Sequence, residues 1–383
     1  MRGRLLCLPL LAAVPQIAMA LDMFRTSTDV SDTPAAALVV ANAGSPCEFG
    51  LVGAPLRLDE AVNRALCNNP RTREAWANVK IQAAGVGVAK AAYLPNVSAT
   101  WQAVRDDSVT DVSGYPRLSS ANRSTVHSGS VSLNWVLYDF GGRRAALRNA
   151  QELLAAARAN QDATLQATFS TVATDYYSAQ AAAGKLAAAQ ETERIAHDSY
   201  VAASARVSHG VAAITDELQA QTSYAQATFN RAKAAGDLQT AFGTLASDMS
   251  LSPAQSIIVP AVEDGVAPDR DFTEAIAEMI ADAQRSHPGV ASAKAKLEAA
   301  VAKEQQTRSQ GLPNFSFVAK FSQNNQPASL GLGEPQFPAT GHDWYFGVQL
   351  QIPLFEGFGR TYQVRQAHAQ VEMQQYTLDE TRQ

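Results

Sequence analysis

The sequence predicts an α+β membrane chain in which very long helices carry short, two-sided strands. Three observations predict it: a proline-free stretch too long for a compact domain, four runs of alternating apolar residues, and an internal duplication that contains both kinds of element.

No proline falls between Pro116 and Pro253, and Ala145 to Ser208 consists mostly of Ala, Gln, Glu, Leu, Arg and Thr, strong helix formers with Gly184 as the weak point. At about 1.5 Å per residue, one helix over that stretch is about 95 Å long. His209-Gly210 then breaks the pattern, and a second helix from about Ala212 to Ala246 turns back along the first. The hairpin is largely alanine, with a large apolar residue such as Leu154, Leu165, Val172, Tyr176 or Ile195 about once a turn. So thin a stripe does not bury itself in one hairpin. Small side chains let further helices approach closely, so helices of other copies of the chain are the natural partners. Taken alone, this stretch leaves a free-standing coiled coil open.

At the front, residues 1–20 carry basic Arg2 and Arg4, an apolar run from Leu5 to Val14 and a small-x-small site at Ala18-Met19-Ala20. This is the pattern of a cleaved export signal. Cys7 lies inside the run, too early for a lipid attachment site, so no lipid anchor is expected. The chain has 31 Lys+Arg against 36 Asp+Glu, a net charge of −5, and loss of Arg2 and Arg4 takes it to about −7. That balance argues against a nucleic-acid partner. No run of eighteen apolar residues occurs, so no membrane-spanning helix is expected.

Removing the leader leaves Cys47 and Cys67, an even count in an oxidising compartment. A bridge is the economical expectation, worth about 3 kcal/mol for a loop of about twenty residues, with two unpaired thiols as the alternative. The six histidines (His127, His197, His209, His287, His342, His368) are scattered without ligand spacing, so neither a metal nor a cofactor is expected. No nucleophile elbow or paired-carboxylate context points to catalysis. Residues 21–57, rich in Ser, Thr, Asp, Pro and Ala without a period, read as an extended, partly disordered arm.

Beyond the arm the chain is built on a duplication. Leu58-Asp59-Glu60-Ala61-Val62 through Asn69-Pro70 returns as Phe272-Thr273-Glu274-Ala275-Ile276 through His287-Pro288. Each copy then runs through an Ala/Lys/Gln-rich helix to a break, at Pro95 and again at Pro313. Pro70 and Pro288 lie 218 positions apart, as do Pro95 and Pro313. Constant spacing marks a repeat: 58–250, a linker at 251–271, and a second copy at 272–383.

After each Pro-Asn the period drops to two. Val97, Ala99 and Trp101, then Val131, Leu133, Trp135 and Leu137, alternate with polar residues in the pair 96–138. Phe315, Phe317, Ala319 and Phe321, then Trp344, Phe346, Val348 and Leu350, do so in the pair 314–353. Four strands of about ten residues, apolar on one face, fit the wall of a transmembrane β-barrel, although a half-exposed soluble sheet alternates too. Membrane barrels need at least eight strands, so several chains must share one. Each pair leaves through a matching turn, Leu137-Tyr138-Asp139-Phe140-Gly141-Gly142-Arg143 and Leu354-Phe355-Glu356-Gly357-Phe358-Gly359-Arg360. Gly141, Gly142, Gly357 and Gly359 permit the backbone to turn from strand into helix, and an acidic residue just ahead of the helix suits its dipole. Neither turn has a phosphate-loop pattern.

These motifs, together with the hairpin turn from Ser208 to Leu218, resemble the TolC-like outer-membrane efflux protein family over the chain from about Leu58 onward. The resemblance implies a homotrimer in which twelve strands form one outer-membrane barrel and long helical hairpins form a periplasmic tunnel. It also implies outer-membrane lipid around the barrel, a periplasmic adaptor (membrane fusion protein), and an inner-membrane pump, ABC-type or proton-driven. The cysteine pair and the arm are similar to those of outer-membrane components of haemolysin-type toxin secretion. Carried over, Gly210 lies at the periplasmic tip with Thr215, Asp216 and Leu218. Asp216 matches an acidic residue that helps hold the tunnel entrance shut; the residues alone equally allow a solvated helix-start charge. One departure stands out, because about 106 residues of helix follow Gly142 whereas 24 follow Gly359. Either the sequence is a fragment whose second hairpin lies beyond Gln383 or it is a truncated form whose tunnel lacks a third or more of its wall; Thr361 to Gln383 reads as the opening turns of a long helix without a C-cap signal, which favours the fragment. The function implied is a passive conduit of a type I secretion or efflux system, carrying an exported toxin or small molecules. The alternative is a periplasmic coiled-coil adaptor.

Overall fold

A computed structural model describes residues 22–34, 47, 49–50, 52, 55–254, 257–260, 276–328 and 337–383. The expected leader at 1–20, much of the arm and linker, and residues 272–275 lie outside the described residues.

The first copy consists of α1 (Leu58–Asn68), α2 (Pro70–Ala91), β1 (Asn96–Thr110), β2 (Ser120–Tyr138), α3 (Gly142–Ser208) and α4 (Ile214–Asp248). The second contains α5 (Ile276–Ser286), α6 (Pro288–Ser309), β3 (Asn314–Asn324), β4 (Gly341–Gln351) and α7 (Gly359–Arg382). The duplicated prolines explain the shared break between the first two helices of each copy. Pro70 and Pro288 each stand at the first helical position, where the missing N–H costs nothing, and they force the preceding residue out of helical geometry. That preceding residue becomes a cap: Asn69 accepts from the Arg71 N–H at 2.9 Å, and His287 Nδ1 from the Gly289 N–H at 3.0 Å.

α3 is 67 residues, about 100 Å long, and no other element reaches both of its ends. Its first half lies between α2 and α6, and its second half against α4. At its middle, Leu165, Val172, Tyr176 and Ala179 meet Leu66 and Ala61 of α1 and Leu245 of α4 in the largest buried cluster. Here α4 ends against the start of α2. Asn69 Nδ2 donates to the Asp248 carbonyl at 3.0 Å and the Ser250 hydroxyl to the Asn68 carbonyl at 2.8 Å. α4 and α2 thereby make one composite rod beside the long helix. The Cys47–Cys67 disulfide, with Cα atoms 5.4 Å apart, ties the arm to this belt.

Part of the arm, residues 22–34, is described, and it is held against the helices. Residues 26–29 form a turn of 3-10 helix, Val30 packs against Val79, Val86 and Leu154, and the Trp76 indole donates to the Ser31 carbonyl at 2.9 Å. One apolar residue and a few carbonyls suffice to pin this stretch in a groove between helices.

The four strands form one antiparallel sheet in the order β1-β2-β3-β4. Register places Val97, Leu133, Ala319 and Phe346 in one row, and Ala99, Val131, Phe321 and Trp344 in the next. The opposite face carries Ser98, Ser132, Lys320 and Tyr345, with Ser98–Ser132 and Thr100–Ser130 hydroxyl contacts at 2.8 Å. One face is thus continuous hydrocarbon and aromatic surface, and the other is lined with hydroxyls and a cation. Both edges, β1 and β4, are open.

Two strand expectations are corrected. β1 and β2 run to 15 and 19 residues rather than ten, and their outer ends form a ribbon beyond β3, pinned where Arg123 Nε donates to Asp107 at 2.9 Å. The strict alternation expected through Leu137 also fails, because a bulge skips it. Val136 pairs with Ser316 and Tyr138 with Phe315, so Tyr138 takes the apolar row position.

Candidate functional site

The chemistry-bearing residues gather at three places: the two strand-to-helix junctions, the hairpin tip, and the belt at the middle of α3. Among the described residues, no group of three or more His, Cys, Asp or Glu could hold a metal ion.

At the first junction Pro95 ends the turn that follows α2, and the chain enters β1 at Asn96. Arg143, in the first turn of α3, reaches back. Its guanidinium donates to the Val136 carbonyl at 2.6 Å and the Leu137 carbonyl at 3.1 Å, pairs with Asp139 at 3.3 Å, and lies 5.0 Å from the Tyr93 ring centroid. Asp139 accepts from the Arg143 backbone N–H at 2.7 Å, satisfying one of the helix's free donors. The bulge at Leu137 leaves carbonyls at the end of β2 for Arg143. The Trp135 indole closes the same knot by donating to the Tyr93 carbonyl at 2.9 Å.

The second junction, after Pro313 and β4, uses Arg360 differently. It pairs with Glu356 at 3.1 Å but donates to the Gln310 side chain at 3.0 Å and the Gln310 carbonyl at 3.3 Å, so it anchors the end of α6 rather than its own strand. Both turns place two consecutive residues in the left-handed region, Phe140 (φ 51°) with Gly141 (φ 89°), and Gly357 (φ 59°) with Phe358 (φ 63°). The expectation that all four glycines serve the turn is therefore corrected. Gly142 instead stands close to α6, where a Cβ would lie 2.7 Å from Ser309 Oγ and oblige that hydroxyl to shift, while Gly359 has open space. In the other half of each left-handed pair a phenylalanine bears the strain, of about 1–2 kcal/mol. Its ring packs on an aromatic neighbour, Phe140 on Tyr138 and Phe358 on Phe355, with centroids 4.8 and 5.5 Å apart. All four rings are exposed, and Tyr138 stands opposite Phe315 at the end of the apolar face.

The tip forms as the glycine predicts. Gly210 (φ 70°) donates to the Val207 carbonyl at 2.9 Å and Val211 to the Arg206 carbonyl at 3.0 Å, the paired bonds of a glycine helix stop. Glu217 accepts from the Ser204 hydroxyl at 2.8 Å across the two arms. Thr215, Asp216 and Leu218 are exposed, as are Val211 and Ile214, so the turn presents an apolar knob flanked by one carboxylate. The structure thus brings Gly210, Thr215, Asp216 and Leu218 together but gives Asp216 no counter-charge from its own hairpin.

Sequence reasoning missed the belt pair Asp175 and Asp248. Burial, and the Asp175 carboxylate beside it, push Asp248 up to about 6, with Arg71 pulling weakly the other way. No spacing signal links residues so far apart; only the stacking of α4 on α2 brings them together.

Known proteins share this architecture. The family model described as outer membrane efflux protein matches residues 61–248 and 279–383. The chain is 32% identical over 330 residues to Protein CyaE of Bordetella pertussis, covering 85% of this chain and 66% of that relative. It is 25% identical over 331 residues to the outer membrane efflux protein BepC of Brucella suis, covering 84% of this chain and 66% of the relative. The chain therefore spans just under two thirds of the length of these relatives. Among solved structures, the CmeC outer membrane channel of Campylobacter jejuni superposes with a TM-score of 0.68 at 16% identity, over 85% of this chain and 67% of that one. That likeness concerns the fold.

Proposed function

The chain belongs to the outer membrane efflux protein family, and from that premise we propose that it is the subunit of a passive conduit from the periplasm across the outer membrane. The family places it in the outer membrane with its helices in the periplasm. Its relatives are channel and transport components rather than enzymes, and we extend that reading to this chain.

The single observation carrying the proposal is the sheet. Its apolar face is continuous from Val97 across to Phe346, its other face is hydroxylic, and both edges are unpaired. A four-stranded sheet of this kind in water would expose a large apolar surface and two rows of free backbone groups, costs that disappear in a closed barrel in lipid. Three copies give twelve strands, and the homotrimer is the assembly proposed. The soluble-adaptor alternative loses ground on the same face, because nothing among the described residues covers it.

The exposed knob at Val211, Ile214 and Leu218 is read as the contact for a periplasmic adaptor, which couples the conduit to an ABC-type or proton-driven pump in the inner membrane. Asp216 is read as a gate residue paired across to another hairpin. The cargo is an exported protein toxin or small molecules. The test is fractionation followed by planar-bilayer recording. The protein is expected in the outer-membrane fraction and to give discrete conductance steps; recovery in the periplasmic extract without detergent would refute it.

A further inference from the structure

Just below the sheet the helical wall carries a basic cleft to which the conduit reading gives no role. Its lining includes Phe140 and Gly141 of the turn, Arg144, Arg148 and Gln151 of α3 beside the apolar Ala145 and Leu147, and Gln305 of α6, and its volume is about 730 Å³. Phe140 fixes the side on which it opens. The Phe140 ring packs edge-on at 4.8 Å against Tyr138, and Tyr138 stands in the apolar row with Phe315 and Leu350. The cleft therefore lies where the apolar face ends and water begins. α3 and α6 are the inner pair of the series α2, α3, α6, α7, so a neighbouring copy joined at the open strand edges leaves it uncovered.

The charges in the cleft are not balanced internally. Arg144 is exposed and makes no ion pair or hydrogen bond among the described residues. Arg148 is 2.8 Å from Glu298, which leaves the cleft with a net charge of about +1. The other nearby carboxylate, Asp139, is occupied by the backbone N–H and guanidinium of Arg143. Gln151 and Gln305 bring carboxamide donors, and the cleft lies at the positive end of the dipole of a 67-residue helix. One unpaired guanidinium, amide donors and an aromatic rim at the edge of an apolar band suit a phosphate whose remainder is hydrocarbon.

We propose that this cleft holds the phosphate of an anionic phospholipid from the leaflet nearest the helices, with Arg144 gripping the headgroup and Phe140 marking where its acyl chains begin. The proposal rests on the reading of the sheet as embedded in a bilayer. One site per chain is expected, because the duplication places Thr361 where the first copy has Arg144.

Native mass spectrometry of the detergent-solubilised protein, titrated with dihexanoyl phosphatidylglycerol, tests it. One lipid adduct per chain is expected. Arg144→Gln weakens binding about tenfold, the effect of one charge-assisted contact, while Lys233→Gln on the distant hairpin leaves it unchanged. Inorganic phosphate at the same concentration does not displace the lipid. The proposal is overturned if the wild-type chain carries no adduct, if Arg144→Gln/Arg148→Gln binds as the wild type does, or if inorganic phosphate binds as well as the lipid. The same spectrum counts chains: a trimer without adducts refutes the cleft, whereas a monomer with one adduct refutes the shared barrel.

Discussion

The strand-to-helix turns divide their strain between a glycine and a phenylalanine, so individual residues there have separable roles. Gly141→Ala is expected to destabilise by about 1–2 kcal/mol, because a Cβ at φ 89° meets the local carbonyl. Gly359→Ala, with ordinary φ and open space, is expected to be neutral. Thermal midpoints of the two variants in detergent at one scan rate make the comparison, and equal losses would contradict the assignment. The belt carboxylates give a pH dependence. Asp248 is raised from 3.8 to about 6, so the folded chain holds its proton more tightly than the unfolded chain. Its contribution to stability is full below about pH 4 and lost as pH rises through about 6. Asp248→Asn should flatten that part of the pH profile; an unchanged slope would assign it elsewhere. At this scale the sequence was informative where a residue type has one conformational use, as at Gly210, Pro70 and Pro288. It was silent on Phe140 and Phe358, because nothing in a phenylalanine announces a left-handed backbone, and on Asp175 with Asp248, because their proximity is a product of tertiary stacking.

Element by element, the strands and helices follow from period and punctuation. Two-residue alternation named the apolar face correctly through Trp135, then failed at Leu137, since a bulge depends on how the carbonyls at the end of β2 are used by Arg143. The lengths of β1 and β2 were also underestimated: beyond the apolar band their outward ends carry Arg105, Asp106 and Arg123, which read as loop although they pair as a ribbon. Phe346, in the row with Val97 and Leu133, should not tolerate a charge. Phe346→Lys is expected to cost about 2–4 kcal/mol and to deplete the assembled form in the outer membrane. Gln349→Lys, on the hydroxylic face opposite Ser316, should assemble normally. Equal effects on the two faces, read by heat-modifiable mobility of membrane extracts, would contradict a lipid-facing sheet.

As a whole molecule, the chain is an open segment of a wall: four strands above, a row of helices below, and unpaired edges along the sheet. The duplication made this plan legible in the sequence alone, because two copies of strand pair and helix related by a fixed spacing already describe segments that repeat around an axis. The sequence could not show how the rods are made continuous, since the stacking of α4 on α2 depends on contacts such as Asn69 to Asp248. Gating belongs to this scale too. Asp216 finds no counter-charge in its own hairpin, so Asp216→Ala is expected to raise single-channel conductance if another hairpin supplies the partner; an unchanged conductance would remove Asp216 from the entrance. A closed conduit requires open edges to meet open edges. Electron microscopy of the protein extracted from outer membranes in detergent tests this most directly. A threefold particle with one shared twelve-stranded pore is the predicted result, and separate, water-soluble single chains would contradict it.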